Sequence, residues 1–333
     1  MKIAFLIGNG FDISLKLKTR YSDFYEHYIK VNSKTKLIEA FKNSLALQMK
    51  DTDKWSDLEL ALGDYLEVLA NLEEFDDLIG DIRFELSEYL KKVQDHFNSE
   101  MRDKLSSYKL LEHLLCPEMF LKGRSHEALR AFYGIYGQKP VSVDVITFNY
   151  TNILEQILDI AEESTEHRNL RTSIIEEGLE RRLLNIYHVH GSVVQDMVLG
   201  VNHDEQIKNH EFRSIAEIRN DFIKSECNLA QEHGVEDKCM TSIKKADVIC
   251  IFGSSLGKTD QLWWDLIAEQ VRLRNCRLVV FYYNPTVSRL NSSHSSRYKK
   301  EIINKIFGDN QQSDLASKIF VSFNSNLFKW DVF

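Results

Sequence analysis

The sequence has few of the residues that interrupt helices. Its 333 residues include only 3 prolines and 14 glycines, and these two residue types are the least favourable inside a helix. Low-complexity segments and internal repeats are also absent from the sequence. Hydrophobic residues make up 43% and charged residues 28%, which is typical of a globular protein. A helix-rich globular chain is therefore predicted.

The sequence contains no apolar run long enough to cross a bilayer. The short apolar run at its start meets Asn9 and Asp12 before a cleavage site could form, which argues against a signal peptide. We therefore expect a cytoplasmic protein with no membrane partner. Positive charge is not in excess either, because the net charge is −8, and this argues against general binding of nucleic acid.

A zinc ribbon is not supported, because no pair of cysteines has the Cys-x-x-Cys spacing. The five cysteines are Cys116, Cys227, Cys239, Cys250 and Cys276. Cys250 and Cys276 lie in or beside apolar runs, which predicts buried thiols.

The chain begins with a pattern typical of a phosphate-binding turn. Ile3–Ile7 predicts a buried strand, Gly8-Asn9-Gly10 a tight turn, and Asp12 the first turn of a helix. The full dinucleotide pattern has a third glycine where Ile13 stands, and an acidic residue after a second strand. Asp23 lies at about the right distance, but no strand precedes it. Two interpretations of Gly8–Gly10 are therefore kept, a nucleotide-binding turn and an ordinary turn.

An alternation of strands and helices returns after a long helical stretch, predicted for residues 22–137. Further strands are predicted at Val141–Thr147, Leu183–Val189, Asp247–Phe252, Arg277–Tyr283 and Ile319–Phe323, with a short one at Val198–Leu199. Residues 162–182 are interpreted as a surface connection with a short helix. The pattern predicts an α/β fold with a Rossmann-like, mainly parallel sheet. Residues 1–24 and 141–333 would form the nucleotide-binding domain, and residues 25–140 an inserted helical subdomain.

Five of the predicted strands end in polar or glycine-rich segments: Gly8–Asp12, Phe148–Asn152, His190–Ser192, Gly253–Ser255 and Asn284. Ligands of parallel sheets bind beyond the carboxyl ends of the strands, so these segments are expected to form one site. Each residue also has a structural alternative, because glycines serve close packing and asparagines cap helices.

Two side chains at these ends could carry chemistry. Asn149 offers an amide that can hold a ribose hydroxyl or a water, and His190 offers a base that titrates near neutral pH. His188 shares a strand face with His190, which raises the question of a metal. No third ligand stands at suitable spacing, so we expect no metal.

Several of these motifs together resemble one family. Ile7-Gly8-Asn9-Gly10-Phe11-Asp12, followed by Thr19-Arg20-Tyr21-Ser22-Asp23-Phe24, resembles the opening of the bacterial abortive-infection AbiH family. The segments Thr147–Asn152, Val189–Gly191 and Phe252–Leu256 continue the resemblance. A role in defence against phage is the expectation that follows.

AbiH proteins in turn look like distant members of the sirtuin superfamily. Sirtuins have a Gly-Ala-Gly turn, a Thr-Gln-Asn-x-Asp stretch, a His-Gly and a Gly-Thr-Ser in the order shown here by Gly8–Gly10, Thr147–Asn149, His190-Gly191 and Gly253–Ser255. In sirtuins this Asn and this His serve the ribose of NAD, so the resemblance implies the same roles for Asn149 and His190, and we predict both to be catalytic. The dinucleotide-binding pattern, the strand ends and the resemblance together predict NAD binding by a larger set: Gly8, Asn9, Gly10, Asp12, Asp23, Thr151, Gly253, Ser254, Ser255 and Asn284.

Two departures from the sirtuins direct the functional hypothesis. Thr151 stands where sirtuins have an aspartate, and the zinc-binding cysteines of the deacylases are missing. The first departure weakens one contact to the ribose. The second, together with the lack of an obvious peptide-binding half, favours an NAD-consuming glycohydrolase over a protein deacylase. A nucleotide-sensing switch without turnover remains the alternative.

The helical insert begins beside the glycine turn, and the chain returns from it to the predicted sheet just before Asn149. It is therefore expected to overhang the cleft, as a lid or as a contact to a second subunit. A structural buttress on the far face is the other interpretation. The partners expected are NAD or a related nucleotide, a second copy of the chain and a phage-derived trigger.

Overall fold

A computed structural model describes residues 1–48, 58–160, 172–194, 196–230, 234–287, 292–308 and 313–330. Its strands are β1 (Lys2–Ile7), β2 (Val141–Thr147), β3 (Ser173–Glu176), β4 (Leu179–His188), β5 (Val248–Phe252), β6 (Arg277–Tyr282) and β7 (Ile319–Phe323). They form one sheet in the order β3-β4-β2-β1-β5-β6-β7. Every neighbouring pair is parallel except β3 and β4. The predicted α/β class and mainly parallel sheet are confirmed.

Helices occupy most of the remaining described chain. They are α1 (Gly10–Ser14), α2 (Tyr21–Tyr28), α3 (Lys36–Gln48), α4 (Leu58–Tyr65), α5 (Leu72–Glu100), α6 (Ser107–Leu115), α7 (Arg124–Gly134), α8 (Ile153–Leu158), α9 (Ala216–Phe222), α10 (Lys224–Ala230), α11 (Val235–Lys245), α12 (Gln261–Leu273) and α13 (Ser292–Phe307). None of these helices combines the length and the apolar character that crossing a membrane requires.

The central strand β1 is where the order of the strands reverses. From β1 the chain moves outward through β2 to β4, and then returns to the other side of β1 with β5, β6 and β7. Ile7 is paired with Thr147 of β2 on one side and with Phe252 of β5 on the other. Because the chain leaves β1 and β5 toward opposite sides, a crevice opens at their carboxyl ends.

Helices cover both faces of the sheet, which explains why the strands have almost continuous apolar sequences. Phe5 of β1 belongs to one core, which contains residues of α6, α7 and α8. Leu6, its neighbour in the chain, belongs to a second core with α11, α12 and α13. Successive side chains of a strand point to opposite faces, so the two cores lie on the two sides of the sheet.

A third core lies beyond the carboxyl ends of β2 and β4. It joins side chains of α2–α5 to Tyr150 and to apolar residues between Val193 and Ile223. The predicted insert, residues 25–140, is thus shared between two cores, because α6 and α7 pack on the sheet. The domain boundaries at residues 24 and 140 stay a prediction.

Two predictions of local structure are wrong. Val198 and Leu199 form no strand; the strand-like contact nearby is a bridge between Val201 and Ile223. Within residues 162–182, the described part is a β-hairpin of β3 and β4, whereas residues 161–171 lie outside the described chain. The charged side chains of this edge hairpin obscure the alternation of apolar and polar residues from which a strand is predicted.

Helix α8, which begins at Ile153 after β2, is short. It ends at Leu158, where Asp159 adopts a left-handed conformation with φ of 56°.

All five cysteines are free and buried, which confirms the prediction of buried thiols at Cys250 and Cys276.

Candidate functional site

The described carboxyl ends of the central strands surround a cavity of about 510 Å³. Ten of the predicted site residues line it: Gly8, Asn9, Gly10, Asp12, Asn149, Thr151, His190, Gly253, Ser254 and Ser255. Asp23 and Asn284 are not in the lining. The Asp23 carboxylate accepts from the backbone N–H of Arg20 at 3.0 Å, and Asn284 Oδ1 accepts from the backbone N–H of Thr286 at 3.0 Å.

The glycines after β1 pack directly against the turn after β5. The N–H of Gly8 donates to the carbonyl of Phe252 at 2.9 Å, and that of Gly10 donates to the carbonyl of Gly253 at 2.8 Å. A Cβ added to Gly10 would lie 2.4 Å from the Cα of Gly253. Gly253 itself has a φ of 70°, which favours glycine. These glycines are thus needed for backbone packing, and the N–H groups of Gly8 and Gly10 serve that contact instead of a phosphate.

Asn9 holds the segment that forms one rim of the cavity. Its Nδ2 donates to the carbonyl of Thr19 at 2.7 Å, and the Thr19 hydroxyl donates to Asn9 Oδ1 at 2.6 Å. The following residues, Arg20–Ser22, also line the cavity. The two motifs of the N-terminal resemblance are therefore joined by this pair of hydrogen bonds.

Asp12 is a buried carboxyl group with two side-chain donors. Its Oδ1 accepts from Asn149 Nδ2 at 3.0 Å, and its Oδ2 accepts from the Thr151 hydroxyl at 2.6 Å. Only 1% of Asp12 is exposed. Burial raises the pKa of Asp12 to about 7, although the hydrogen bonds from Thr151 and Asn149 oppose the shift. The carboxyl group therefore titrates near neutral pH.

His190 contacts a carboxylate that the sequence analysis did not select. His190 Nε2 lies 3.1 Å from Asp260 Oδ1, and Asp260 follows β5 just before α12. Burial lowers the pKa of His190, and Lys224 lowers it further. Burial alone would raise the pKa of Asp260, but Lys224 and His190 hold it well below its usual range. The pair therefore combines a neutral imidazole with an ionised carboxylate.

Lys224 connects this pair to the helical insert. Its ammonium group donates to Glu59 of α4 at 2.9 Å, to Asp260 at 3.1 Å and to the carbonyl of Thr259 at 3.1 Å. Lys224 and Glu59 are both buried. Burial would lower the pKa of Lys224, but Asp260 and Glu59 outweigh it and raise the pKa.

Four charged residues of the cavity lining were not among the predicted site residues: Arg20, Glu59, Lys224 and Asp260. Arg20 stands inside the stretch Thr19–Phe24 already singled out, and Asp260 lies shortly after the segment Phe252–Leu256. Glu59 and Lys224 carry no comparable signal. The two residues are 165 positions apart in the chain and become neighbours only when it folds.

Two polar atoms distinguish Asn149 and His190 from the other described residues of the lining. Asn149 Oδ1 and His190 Nδ1 are buried and have no hydrogen-bond partner. Among the described residues that line the cavity, no other side-chain nitrogen or oxygen is buried without a partner. An unsatisfied buried polar group costs about 1–3 kcal/mol. Such a cost is commonly tolerated where the group serves a ligand.

Both ring nitrogens of His188 contact groups other than His190. His188 Nε2 lies 2.8 Å from Glu155 Oε1, and its Nδ1 lies 3.0 Å from the carbonyl oxygen of Asn149. Burial would lower the pKa of His188, but Glu155 raises it overall. The described residues include no group of three or more His, Cys, Asp or Glu side chains that could hold a metal ion.

The fold and the cavity define a class of protein: an α/β protein with a polar site at the carboxyl edge of a parallel sheet. Residues 4–282 match the family described as Bacteriophage abortive infection AbiH. The chain belongs to this family, and membership implies a role in abortive infection. No curated protein matches the sequence.

Proposed function

We propose that this protein is an NAD glycohydrolase of anti-phage defence, cleaving the bond between nicotinamide and ribose. The observation that carries the proposal is the pair of unsatisfied buried atoms, Asn149 Oδ1 and His190 Nδ1, in the lining of one cavity. Both side chains are those to which the sirtuin resemblance assigns the ribose of NAD. The volume of about 510 Å³ lies in the usual range of small-molecule sites.

The topology supports a Rossmann-like, sirtuin-like assignment. If the edge strand β3 is set aside, the parallel strands run in the order β4-β2-β1-β5-β6-β7. Counted along the chain, this is the 3-2-1-4-5-6 order of doubly wound dinucleotide-binding sheets. The cavity lies at the point where such sheets bind their ligands.

The residues of the cavity suit the separate parts of NAD. Arg20 at the rim offers a guanidinium group for the pyrophosphate, and Ser254 and Ser255 follow β5 on the opposite side of the turn. Asn149 would orient a ribose hydroxyl or the attacking water. Asn9, Asp12 and the glycines shape the wall between them.

The reaction itself needs little acid catalysis. A water oxygen attacks the anomeric carbon of the ribose, the carbon–nitrogen bond breaks, and nicotinamide leaves as a neutral molecule. The proton of the water goes to His190, whose lowered pKa keeps the imidazole neutral and ready to accept it. Asp260, at 3.1 Å, would then stabilise the resulting imidazolium.

Product analysis tests the proposal. The purified full chain is incubated with NAD, and NAD, nicotinamide and ADP-ribose are quantified, with extracts of phage-infected and uninfected cells added in parallel. We expect equal amounts of nicotinamide and ADP-ribose from the wild type and none from His190→Ala. His210→Ala, which changes an exposed histidine outside the cavity lining, is the matched control. Absence of NAD cleavage by the wild type, with and without either extract, would overturn the proposal.

A nucleotide-sensing switch is the second candidate. The chain of contacts Glu59–Lys224–Asp260 favours it, because these contacts connect the insert with the cavity through buried charges. Binding of intact NAD without turnover, accompanied by a change in self-association or by capture of a phage component, would support the switch. An acetylated peptide in the same assay tests deacylation, which has less support.

A further inference from the structure

We propose that Asp12 is a positioning residue that fixes the side-chain amide of Asn149, so that Asn149 presents its oxygen to a hydroxyl group of the ligand. The inference deepens the proposed function, on which it rests for the identity of the ligand. It assigns to Asp12 a role through Asn149, in place of a direct contact with the nucleotide.

The orientation follows from hydrogen-bond chemistry. Above its pKa of about 7 the Asp12 carboxyl group is ionised. In that form it accepts hydrogen bonds and donates none, whereas an amide has a donor end and an acceptor end. Asn149 Nδ2 lies 3.0 Å from Asp12 Oδ1. The reversed amide would bring two acceptor oxygens together in a buried place. Asp12 therefore requires the donor end, and Oδ1 of Asn149, which has no partner, is the end left for a ligand.

The surrounding contacts hold both groups in place. The Thr151 hydroxyl donates to the second oxygen of Asp12 at 2.6 Å. The backbone N–H of Asn149 donates to the Thr147 hydroxyl at 3.1 Å, and its carbonyl lies 3.0 Å from His188 Nδ1. Asn149 is therefore fixed through its backbone as well as its side chain. Such preorganisation lowers the cost of orienting a ligand or a water.

This arrangement selects the chemistry of the group that Asn149 meets. A fixed oxygen acceptor suits a ribose hydroxyl or a water, and it disfavours a carbonyl or phosphate oxygen at the same place. A ligand that lacks the hydroxyl leaves the acceptor unpaired, which is the situation in which enzymes discriminate most strongly. Specificity for the hydroxyl would thus depend on a carboxylate that never touches the ligand.

The chain provides an internal control. Asp144 is also a buried aspartate, and it also accepts from an asparagine and from a hydroxyl: Asn185 Nδ2 at 2.7 Å and Ser242 Oγ at 2.8 Å. It has an additional ion pair with Lys2 at 2.7 Å. Neither Asp144 nor Asn185 lines the cavity. Asp144→Asn therefore makes the same chemical change as Asp12→Asn away from the site.

The first measurement needs no ligand. Side-chain amide signals are recorded by NMR on the full chain labelled with ¹⁵N in asparagine, and Asn149 is identified by its loss in Asn149→Ser. We expect Asp12→Asn to shift the Asn149 signals and to accelerate exchange of their protons. Asp144→Asn should move the Asn185 signals instead. An Asn149 amide that is unchanged in folded Asp12→Asn would overturn the inference.

The second measurement uses NAD and its 2′-deoxy and 3′-deoxy analogues on the nicotinamide ribose, with affinity determined by calorimetry. We expect Asp12→Asn to weaken NAD binding about tenfold or more and to reduce discrimination against at least one analogue, whereas Asp144→Asn behaves as wild type. Unchanged affinity and unchanged discrimination in Asp12→Asn would refute the positioning role. If the wild type binds no NAD, the proposed function fails, but the NMR result still decides the orientation of Asn149.

Discussion

Asn149 Nδ2 donates a hydrogen bond to Asp12 Oδ1 over 3.0 Å, although the two residues are 137 positions apart in the chain. They are neighbours because β1 and β2 are parallel and in register, with Ile7 beside Thr147. Each residue follows the end of its strand by a few positions. The sheet thus brings the carboxyl group of one loop to the amide of the next, and several measurable consequences follow.

Loss of Asn149 or His190 should strongly slow NAD cleavage without unfolding the protein. Removal of a general base costs about 10²–10⁴-fold in rate, and we expect His190→Ala and Asn149→Ala to fall in this range. Nicotinamide release measures the rate, and circular dichroism together with a thermal melt checks the fold. Wild-type turnover in either folded variant would remove that residue from the mechanism.

Asp12 should make the protein less stable as the pH rises. Its pKa is about 7 in the folded protein and about 4 in an unfolded chain. The folded state therefore holds the proton more tightly, so Asp12 costs nothing below pH 4 and progressively more up to pH 7. Asp12→Asn should therefore gain stability over wild type across this range, by up to roughly 4 kcal/mol.

Urea unfolding of wild type and Asp12→Asn at several pH values between 4 and 8 measures this difference. His188 and Glu155 also act on the charge of Asp12, so the comparison rests on the difference between the two proteins. A difference that does not vary with pH would show that Asp12 has an ordinary pKa.

Lys224 should be essential for the stability of the site. Lys224→Met leaves Glu59 buried without its cation and removes one of the two donors to Asp260. Breaking one partner of a buried ion pair costs about 3–5 kcal/mol. Lys91→Met, which removes the exposed pair with Glu88, should cost less than about 1 kcal/mol. Equal losses in urea unfolding would contradict the structural role of Lys224.

A side chain at Gly10 should disrupt the site by separating the turns after β1 and β5. Gly10→Val places a branched side chain where even a Cβ would be 2.4 Å from the Cα of Gly253. We expect lost NAD binding together with lower stability, because the clash is with the protein backbone. Gly80→Ala in α5 meets no atom within 4 Å and should be stabilising by up to about 1 kcal/mol. Calorimetry measures NAD affinity, and thermal melts measure stability. Wild-type affinity and wild-type stability in Gly10→Val would rule out this packing role.

The helical insert should respond to the ligand if it covers the site. Glu59 of α4 and Leu90 of α5 reach the cavity lining, and Tyr21 and Ser22 at the start of α2, which leads into the insert, also line it. We therefore expect NAD to increase the protection of α2 and α4 from hydrogen exchange, measured by mass spectrometry. Protection confined to the turn at Gly8–Asp12 would argue against a lid and for a structural buttress.

The sequence determined the parts of this protein that depend on local pattern. Apolar runs that end in glycine or polar residues predicted β1, β2, β5, β6 and β7, and the carboxyl-end rule selected ten residues that line one cavity. The predicted strand Leu183–Val189 corresponds to the later part of β4. Strand β3 and the start of β4 escaped prediction because this exposed edge carries charges among the apolar residues, with Ile175 facing outward.

The tertiary structure alone decided which groups meet. Lys224 contacts both Glu59 and Asp260, and these contacts join three separate elements of the fold. No spacing of residues along the chain predicts these contacts. The same holds for the pKa of Asp12, since a carboxyl group titrates near 7 only when the fold has removed it from water. Local pattern reports what a segment can form, whereas burial and long-range pairing arise only after the segments have packed.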